Sequence, residues 1–239
     1  MNKLVSIVTP CYNSEKYIAD AIQSVLDQSY SNWEMIIVDD VSYDKSSDII
    51  EKYANNDSRI RLIRMPKNSG AAVCRNRGIE LAQGYYLAFL DSDDMWVPQK
   101  LAIQVEFMHA NQYVLSFGSY KKMDEDGNKL PKSFVSALRK VSYKDLLSSN
   151  KIGCLTAMYD INKLGKVYMP LIRKRQDYAL WLKILKKTSF AYGIPQSLGY
   201  YRVRKSSISS SKIEMLKWNW KLFKEVEELS YLKSLNSSL

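Results

Sequence analysis

The sequence predicts an α/β fold in which a mostly parallel central sheet is flanked by helices. Short apolar strands alternate with amphipathic helices along roughly the first hundred residues, as in layered domains with a parallel sheet. Polar residues follow three of the four predicted strands, at the position where ligands bind in such sheets. No glycine precedes Gly70, which limits the kinds of nucleotide site that these turns can form.

Seven elements make up this alternating region. We predict strands over residues 4–10, 33–38, 61–64 and 85–90, and helices over residues 14–28, 45–55 and 70–82. The strands are short apolar runs, and the first of them stops at Pro10. The helices carry apolar side chains three and four residues apart, and Asn13-Ser14 is a start signal for the first.

The pattern changes after residue 100. We predict a helix near 98–110, mixed strands around 113–122, a hairpin turn over 124–128, a helix over about 176–187 and a C-terminal amphipathic helix over roughly 212–234.

The charge of the chain is concentrated in one short stretch. Residues 160–205 hold 11 lysines and arginines against 2 acids, whereas residues 1–159 hold 19 of each. Such a local basic field favours an anionic ligand, an anionic lipid surface or nucleic acid, and the alternative is a solvated basic face. Three cysteines without metal-like spacing and the absence of a long apolar run lead us to expect a cytoplasmic protein, or one peripheral to a membrane.

The early turns exclude two common nucleotide sites. A dinucleotide fingerprint and a phosphate-binding P-loop both need glycines there, and the first turn reads Pro10-Cys11-Tyr12-Asn13. Phosphates must therefore be neutralised in another way, and a divalent cation held by carboxylates is the obvious substitute.

Asp91 and Asp93 are the strongest candidates for that cation. They flank Ser92 at the end of an apolar strand, where residues i and i+2 point to the same side. Carboxylates suit Mn²⁺ or Mg²⁺, which would stabilise charge on a diphosphate leaving group. Asp-rich turns are also common helix caps, the interpretation that suits Asp94.

Other candidates have two interpretations each. Asp39 and Asp40 would accept hydrogen bonds from a ribose or a base, or simply form a solvated turn. Tyr12 would stack on a base or pack, and Arg75 would meet a base or phosphate. Asp177, inside a cationic run, would take a proton from an incoming hydroxyl or be a helix-start charge.

These segments resemble the family 2 inverting glycosyltransferases, which have the GT-A fold. The resemblance rests on residues 5–13, 36–42, 68–78 and 89–94, and more thinly on 176–181 and 200–204. It implies a GT-A domain over residues 1–205, with a nucleotide-sugar half at 1–100 and an acceptor half at 101–205, followed by a helical tail over 206–239.

The resemblance also implies roles by position. The nucleotide of a UDP-sugar would be held by Thr9, Pro10, Tyr12, Asp39, Arg75, Asp91 and Ser92. Asp91 and Asp93 would form the DxD pair that holds Mn²⁺ or Mg²⁺. Asp177 would be the general base, deprotonating an acceptor hydroxyl that attacks in line with inversion.

The chain departs from the family at two positions. Gln176 stands where a glutamate is common, and Arg204 stands where a histidine is common, although Arg202, Arg204 or Lys205 would still close over the diphosphate. Bacterial members often build O-antigens or capsules on a polyprenyl diphosphate lipid. In that setting the aromatic residues near 218–223 would rest at the membrane surface, or else cover the domain or a dimer interface.

Two other functions remain open from the sequence. A sugar-nucleotide nucleotidyltransferase would also use carboxylates and metal, but it needs a glycine- and lysine-rich early loop and releases pyrophosphate rather than UDP. A non-catalytic module that binds nucleic acid would show strongly salt-dependent affinity.

Overall fold

The first half of the chain alternates strands and helices as predicted. The structure is a computed structural model that describes residues 2–204 and 212–228. Its first elements are β1 (Val5–Cys11), α1 (Ile18–Leu26), β2 (Trp33–Asp39), α2 (Ser46–Asn56), β3 (Ile60–Arg64), α3 (Ala71–Leu81) and β4 (Tyr86–Phe89). Helix α1 begins later than predicted, because the amides of Tyr17 and Ile18 both donate to the carbonyl of Ser14 in a turn.

The second half mixes short strands with helices. It contains β5 (Met95–Trp96), α4 (Lys100–Ala110), β6 (Leu115–Met123), β7 (Lys140–Val141), α5 (Tyr143–Ser148), β8 (Met158–Asp160), α6 (Ile161–Leu164), α7 (Gln176–Leu185), β9 (Ala191–Arg202) and α8 (Lys212–Lys221). A 3₁₀ turn at Cys154–Thr156 and a π-helical turn at Leu222–Val226 complete the described elements.

All the described strands belong to one nine-stranded sheet. The main order is β3-β2-β1-β4-β8-β6-β9-β5, and β7 pairs with β9. Strands β1 to β4 are mutually parallel, β8 is antiparallel to both β4 and β6, and β9 runs parallel to β6. The carboxyl ends of β1, β2, β4 and β9 therefore lie at one edge of the sheet, which confirms the predicted α/β, mostly parallel architecture.

The two faces of the sheet carry separate cores. Alternate side chains of β1 point to opposite faces, so that Val8 joins one apolar cluster while Val5 and Ile7 join the other. On the first face, the ring of Trp181 from α7 lies edge-on to Phe89 of β4, with centroids 5.9 Å apart. Helix α7 is thereby fixed against the strand that leads into Asp91.

The described part of the C-terminal tail packs on the domain. Leu222 and Phe223 are fully buried, and the Phe223 ring is 5.8 Å from that of Tyr178. Trp218 is half-buried against the same core. The apolar side chains of these three residues therefore cover the domain, as in the second of the two interpretations from the sequence, because they already pack against its core. The remainder of the predicted helix, residues 229–234, lies outside the described residues.

No helix among the described residues is both long and apolar enough to cross a membrane.

Candidate active site

Two carboxylates occupy the loop after β4. Asp91 Oδ1 accepts a hydrogen bond from Arg75 Nη2 at 2.5 Å, and Asp93 Oδ2 lies 3.1 Å from Arg204 Nε. The hydroxyl of Ser92 turns into the protein and lies 2.8 Å from that of Ser14. Each acid of the pair thus has one cationic partner and remains partly exposed at the edge of the sheet.

Burial and the crowding of acids raise the pKa of two carboxyl groups in this loop, those of Asp93 and Asp94. Burial, and then the negative charge of Asp91, raise the pKa of Asp93. Burial and the charge of Asp93 raise the pKa of Asp94 well above its usual range. A divalent cation held by Asp91 and Asp93 would relieve this repulsion, and carboxylate oxygens are the ligands that Mn²⁺ and Mg²⁺ prefer. The residues present therefore fit such a cation.

The protein would supply two carboxylate ligands to the cation and not a complete coordination shell. Among the described residues, no group of three or more His, Cys, Asp or Glu side chains is placed to hold a metal ion. A hard cation that completes its coordination shell with substrate phosphates and water needs only one or two carboxylates.

Arg75 connects this loop to the start of α7. Its side chain is only 12% exposed, and its Nη1 donates to Gln176 Oε1 at 2.9 Å while its Nη2 pairs with Asp91. Burial works against the charged form, but the carboxylates of Asp91 and Asp177 keep the pKa of Arg75 above its usual value. One buried guanidinium thus joins the predicted donor side to the residue that precedes Asp177.

Asp177 lies in the first turn of α7, close to Arg75. Burial raises the pKa of the Asp177 carboxyl group, and the charge of Arg75 opposes that rise. Among the described residues, Asn150 alone donates a side-chain hydrogen bond to Asp177, and its Nδ2 is 3.5 Å from Oδ2. The carboxylate therefore keeps lone pairs free to accept a proton, with a pKa shifted toward neutral pH.

The predicted nucleotide residues of β1 lie beside this edge. Thr9 is buried, and its hydroxyl has no hydrogen-bond partner among the described residues. Pro10 follows it, half-buried. Tyr12 is 48% exposed and meets Tyr43 edge-on, with ring centroids 6.2 Å apart. Two exposed aromatic rings therefore stand together beyond β1 and β2.

Asp39 and Asp40 are buried and already hold the loops around them. Asp39 accepts hydrogen bonds from the hydroxyls of Ser42, at 2.5 Å, and Ser47, at 3.0 Å. Asp40 accepts hydrogen bonds from the amides of Ser69 and Gly70 at 2.7 and 2.8 Å, and so fixes the segment that leads into α3. Gly70 has φ +87°, a conformation that glycine adopts without strain.

The three predicted phosphate-side residues differ in their surroundings. The Arg202 side chain is 1% exposed and donates to the carbonyls of Asp93 and Glu125, at 2.7 and 2.8 Å, and to Asp20 Oδ2 at 3.0 Å. Its backbone amide also donates to Asp94 Oδ1 at 2.8 Å. All three guanidinium nitrogens of Arg202 thus donate hydrogen bonds within the protein. The side chain thereby holds the loop after β4 against α1 and the turn at Glu125.

Arg204 is more accessible. Its side chain is 33% exposed and pairs with Asp93. The Cζ atom of Arg204 also lies 5.8 Å from the centroid of the Tyr17 ring. Lys205 lies outside the described residues.

Three residues at the site are not predicted from the sequence. Asn150 faces Asp177 from the segment after α5, and Asp20 of α1 pairs with Arg202 across the chain. Tyr43, 84% exposed, stands beside Tyr12. Asn150 and Asp20 belong to no recognisable motif, and only the tertiary fold brings them to the site. The pair Tyr12–Tyr43 has a weak signal, since both residues follow the ends of adjacent parallel strands.

Comparison with known protein families gives one direct match. The model of "Glycosyl transferase family 2" matches residues 6–161, about two thirds of the chain.

Similar proteins of known sequence agree with that match. The chain is 48% identical over 231 residues to the "Putative teichuronic acid biosynthesis glycosyltransferase TuaG" of Bacillus subtilis, covering 97% of this chain and 91% of that protein. It is 39% identical over 218 residues to the UDP-Glc:α-D-GlcNAc-diphosphoundecaprenol β-1,3-glucosyltransferase WfgD of Escherichia coli, covering 91% of this chain and 84% of the relative.

Similar solved structures share the fold. TarS 1–349 of S. aureus, in complex with UDP-GlcNAc, superposes with a TM-score of 0.73 at 22% identity and covers 96% of this chain and 69% of TarS 1–349. The mannosyltransferase PcManGT of Pyrobaculum calidifontis, in complex with GDP-Man and Mn²⁺, gives a TM-score of 0.70 at 16% identity, covering all of this chain and 70% of that one. At these identities the likeness concerns the GT-A fold alone.

Proposed function

The chain belongs to glycosyl transferase family 2, and from that premise we propose that it transfers a sugar from a UDP-sugar to a hydroxyl of a glycan on a polyprenyl diphosphate lipid. The contacts of Arg75 carry this proposal. They bring Asp91, on the metal and nucleotide side, and Gln176, the neighbour of the candidate base, onto one guanidinium. A transferase needs that juxtaposition, because the leaving group and the attacking hydroxyl lie on opposite sides of one carbon.

On the donor side, residues 1–100 would form the nucleotide half. Tyr12 would face the base, and Thr9 would offer the hydroxyl that lacks a partner. Asp39 and the loop of Asp91 and Ser92 would lie along the ribose. Asp91 and Asp93 would hold Mn²⁺ or Mg²⁺, which when bound neutralises charge on the leaving diphosphate. Arg204, partly exposed beside Asp93, would contact the same diphosphate.

On the acceptor side, residues 101–205 would place a hydroxyl against Asp177. The carboxylate would accept the hydroxyl proton as the oxygen attacks the anomeric carbon from the face opposite UDP, so that configuration inverts. The proton moves to Asp177, the new glycosidic bond forms, and the bond to the diphosphate breaks. Because burial raises its pKa, Asp177 is a stronger base than an exposed aspartate.

The nature of the relatives supports the choice of substrates. WfgD is named for UDP-Glc and a diphosphoundecaprenol-linked GlcNAc acceptor, and TuaG for teichuronic acid biosynthesis. We therefore infer a hexosyltransferase of bacterial surface polysaccharide synthesis, such as that of O-antigen or capsule. A lipid-linked acceptor would place it peripherally on the cytoplasmic face of the cell membrane.

Thermal unfolding with nucleotides tests the donor and the metal together. UDP at about a hundred times its dissociation constant should stabilise the protein by roughly 2.7 kcal/mol when Mn²⁺ is present, and much less without it. A shift with GDP or CDP instead of UDP would reject the donor assignment. An equal shift with and without Mn²⁺ would reject the metal.

Product analysis tests the reaction. Wild-type protein with Mn²⁺, a panel of UDP-sugars and a GlcNAc-diphosphate lipid should yield UDP and an acceptor heavier by one sugar. The new anomeric centre should have the opposite configuration to that of the donor. With a nucleoside triphosphate and a sugar 1-phosphate, release of pyrophosphate would instead identify a nucleotidyltransferase.

A further inference from the structure

The loop between α6 and α7 is a cationic segment that has no role in the reaction proposed above. Residues 165–175, here named the α6–α7 loop, contain Lys166, Arg173, Lys174 and Arg175 and no acid. The loop leads directly into α7, whose second residue is Asp177. Its positive charge therefore lies at the acceptor side of the candidate base.

Alternate side chains of this loop point outward. Ile172 is 8% exposed and belongs to the core, whereas Leu171 is 72% exposed and Arg173 is exposed as well. Tyr168, 40% exposed, stands a few residues earlier. Ile172 thus anchors the loop, while an apolar and a cationic side chain next to it face solvent together.

Two cations of the loop, Arg173 and Arg175, have side-chain nitrogens without a partner among the described residues. Within the described part of the chain, Arg173 has no ion pair or side-chain hydrogen bond; only its carbonyl is used, by Gln176 Nε2 at 3.1 Å. Arg175 lies in the left-handed region at φ +65°, and its buried Nε has no partner among the described residues. By contrast, the donor-side cations Arg202 and Arg204 are each paired with an aspartate.

We propose that the α6–α7 loop binds the diphosphate of a polyprenyl diphosphate-linked acceptor, with Arg173 as the principal cation and Leu171 against the first isoprene units. The inference rests on the proposed function. In an acceptor whose first sugar is attached to the lipid diphosphate, that diphosphate is one monosaccharide away from the hydroxyl at Asp177. The α6–α7 loop adjoins Asp177 and carries the positive charge that a diphosphate requires.

Binding of a lipid diphosphate tests the site without any turnover. The probe is farnesyl diphosphate, titrated by calorimetry into full-length protein saturated with UDP and Mn²⁺, so that the nucleotide site is already filled. Arg173→Glu should weaken this binding about tenfold or more, since it removes a charge-assisted contact and adds repulsion. Arg173→Lys should retain most of the affinity.

The matched control is Lys187→Glu, the same charge change at an exposed residue just beyond the other end of α7. It should leave the affinity within about twofold, because exposed charges this far apart are largely screened at physiological salt. Equal losses in both variants, or none in Arg173→Glu, would overturn the proposal.

Binding to phospholipid vesicles distinguishes the two possible sources of phosphate, a lipid diphosphate and a phospholipid headgroup. Arg173→Glu should bind phosphatidylglycerol vesicles nearly as well as wild type, because the site recognises a diphosphate. A variant that loses vesicle binding yet keeps its affinity for farnesyl diphosphate would make this loop a membrane contact and overturn the proposal.

Steady-state kinetics test the role of the loop in acceptor binding separately from the proposed transferase activity. For a GlcNAc-diphosphate lipid, Arg173→Glu should raise the acceptor KM about tenfold or more and leave the donor KM unchanged. For a neutral alkyl GlcNAc glycoside, the same variant should match wild type. Equal effects on both acceptors would contradict the loop's role, whereas failure of wild type to glycosylate either acceptor would reject the proposed function and leave the farnesyl diphosphate result standing.

Discussion

At the scale of single residues, burial and the charge of Arg75 act in opposite directions on the pKa of Asp177. Burial raises the pKa of Asp177 and Arg75 lowers it, while the neighbour Gln176 contributes a neutral amide to the same guanidinium. The family often has a glutamate at this position. The glutamine therefore keeps one negative charge away from the base.

Gln176→Glu should shift the pH dependence of catalysis. A second carboxylate next to Asp177 disfavours its ionised form, so the acid limb of kcat/KM should move to higher pH by about one unit. The measurement is a pH–rate profile between about pH 5 and 9. Gln176→Met, which removes the amide but adds no charge, should move the limb less. An acid limb that stays in place or moves down in Gln176→Glu would show that Asp177 is not the titrating base.

Burial of Lys100 disfavours the charged form of its side chain. Its ammonium group is fully buried, has no hydrogen-bond partner among the described residues and lies 3.7 Å from the ring centroid of Trp96. Burial lowers the pKa of Lys100 well below its usual value. Between that lowered pKa and the unfolded value of about 10.4, the unfolded chain binds more protons, so stability rises with pH across this window.

Lys100→Met should therefore stabilise the protein at neutral pH by about 1 kcal/mol, and the gain should shrink as the pH approaches about 10. Urea unfolding at both pH values checks this, with the exposed Lys52→Met as a control. A loss of stability that is the same at both pH values would mean that the contact with Trp96 outweighs the cost of burial.

At the scale of elements, the end of β9 holds the loop that follows β4. Arg202 ties the carbonyl of Asp93 to α1 through Asp20 and to the hairpin turn through the carbonyl of Glu125. The geometry of the two candidate metal ligands thus depends on a strand more than a hundred residues further along the chain.

Arg202→Met should lower the free energy of unfolding by about 3 kcal/mol, because it removes the three side-chain hydrogen bonds of a buried guanidinium, and should weaken Mn²⁺-dependent binding of UDP. Arg204→Met, at a more exposed position, should cost less than about 1 kcal/mol and still weaken UDP binding. Urea unfolding and calorimetry separate the two variants. If Arg202→Met is as stable as wild type, Arg202 does not brace the loop.

The predictability of the elements follows their physical origin. Strands β1, β2 and β4 are buried on both faces and read as continuous apolar runs, so the sequence reveals them. Strands β5 and β7 have only two residues each, too few for any periodicity, and they exist because β9 pairs with them. For the same reason Asp91 and Asp93 could be selected from sequence, whereas Asn150 and Asp20 depend on contacts between distant segments.

At the scale of the whole molecule, the sheet divides the charge of the site. The carboxylates Asp91 and Asp93 follow β4, and the α6–α7 loop, in which Arg173 has no ion pair among the described residues, leads into the candidate base Asp177. Part of the basic excess of residues 160–205 thus falls into two groups: Arg202 and Arg204 at the end of β9 contact the loop after β4, and the cations of residues 173–175 lead into α7.

The role of Asp177 as the base is tested by the transfer rate of Asp177→Asn, measured in a single turnover alongside its affinity for UDP with Mn²⁺. Asp48→Asn, an exposed residue of α2, is the control and should behave as wild type. We expect the rate of Asp177→Asn to fall by a factor of about 10² to 10⁴ with UDP affinity unchanged, because only the general base is lost. Wild-type turnover by Asp177→Asn would contradict the assignment of the base and with it the proposed mechanism.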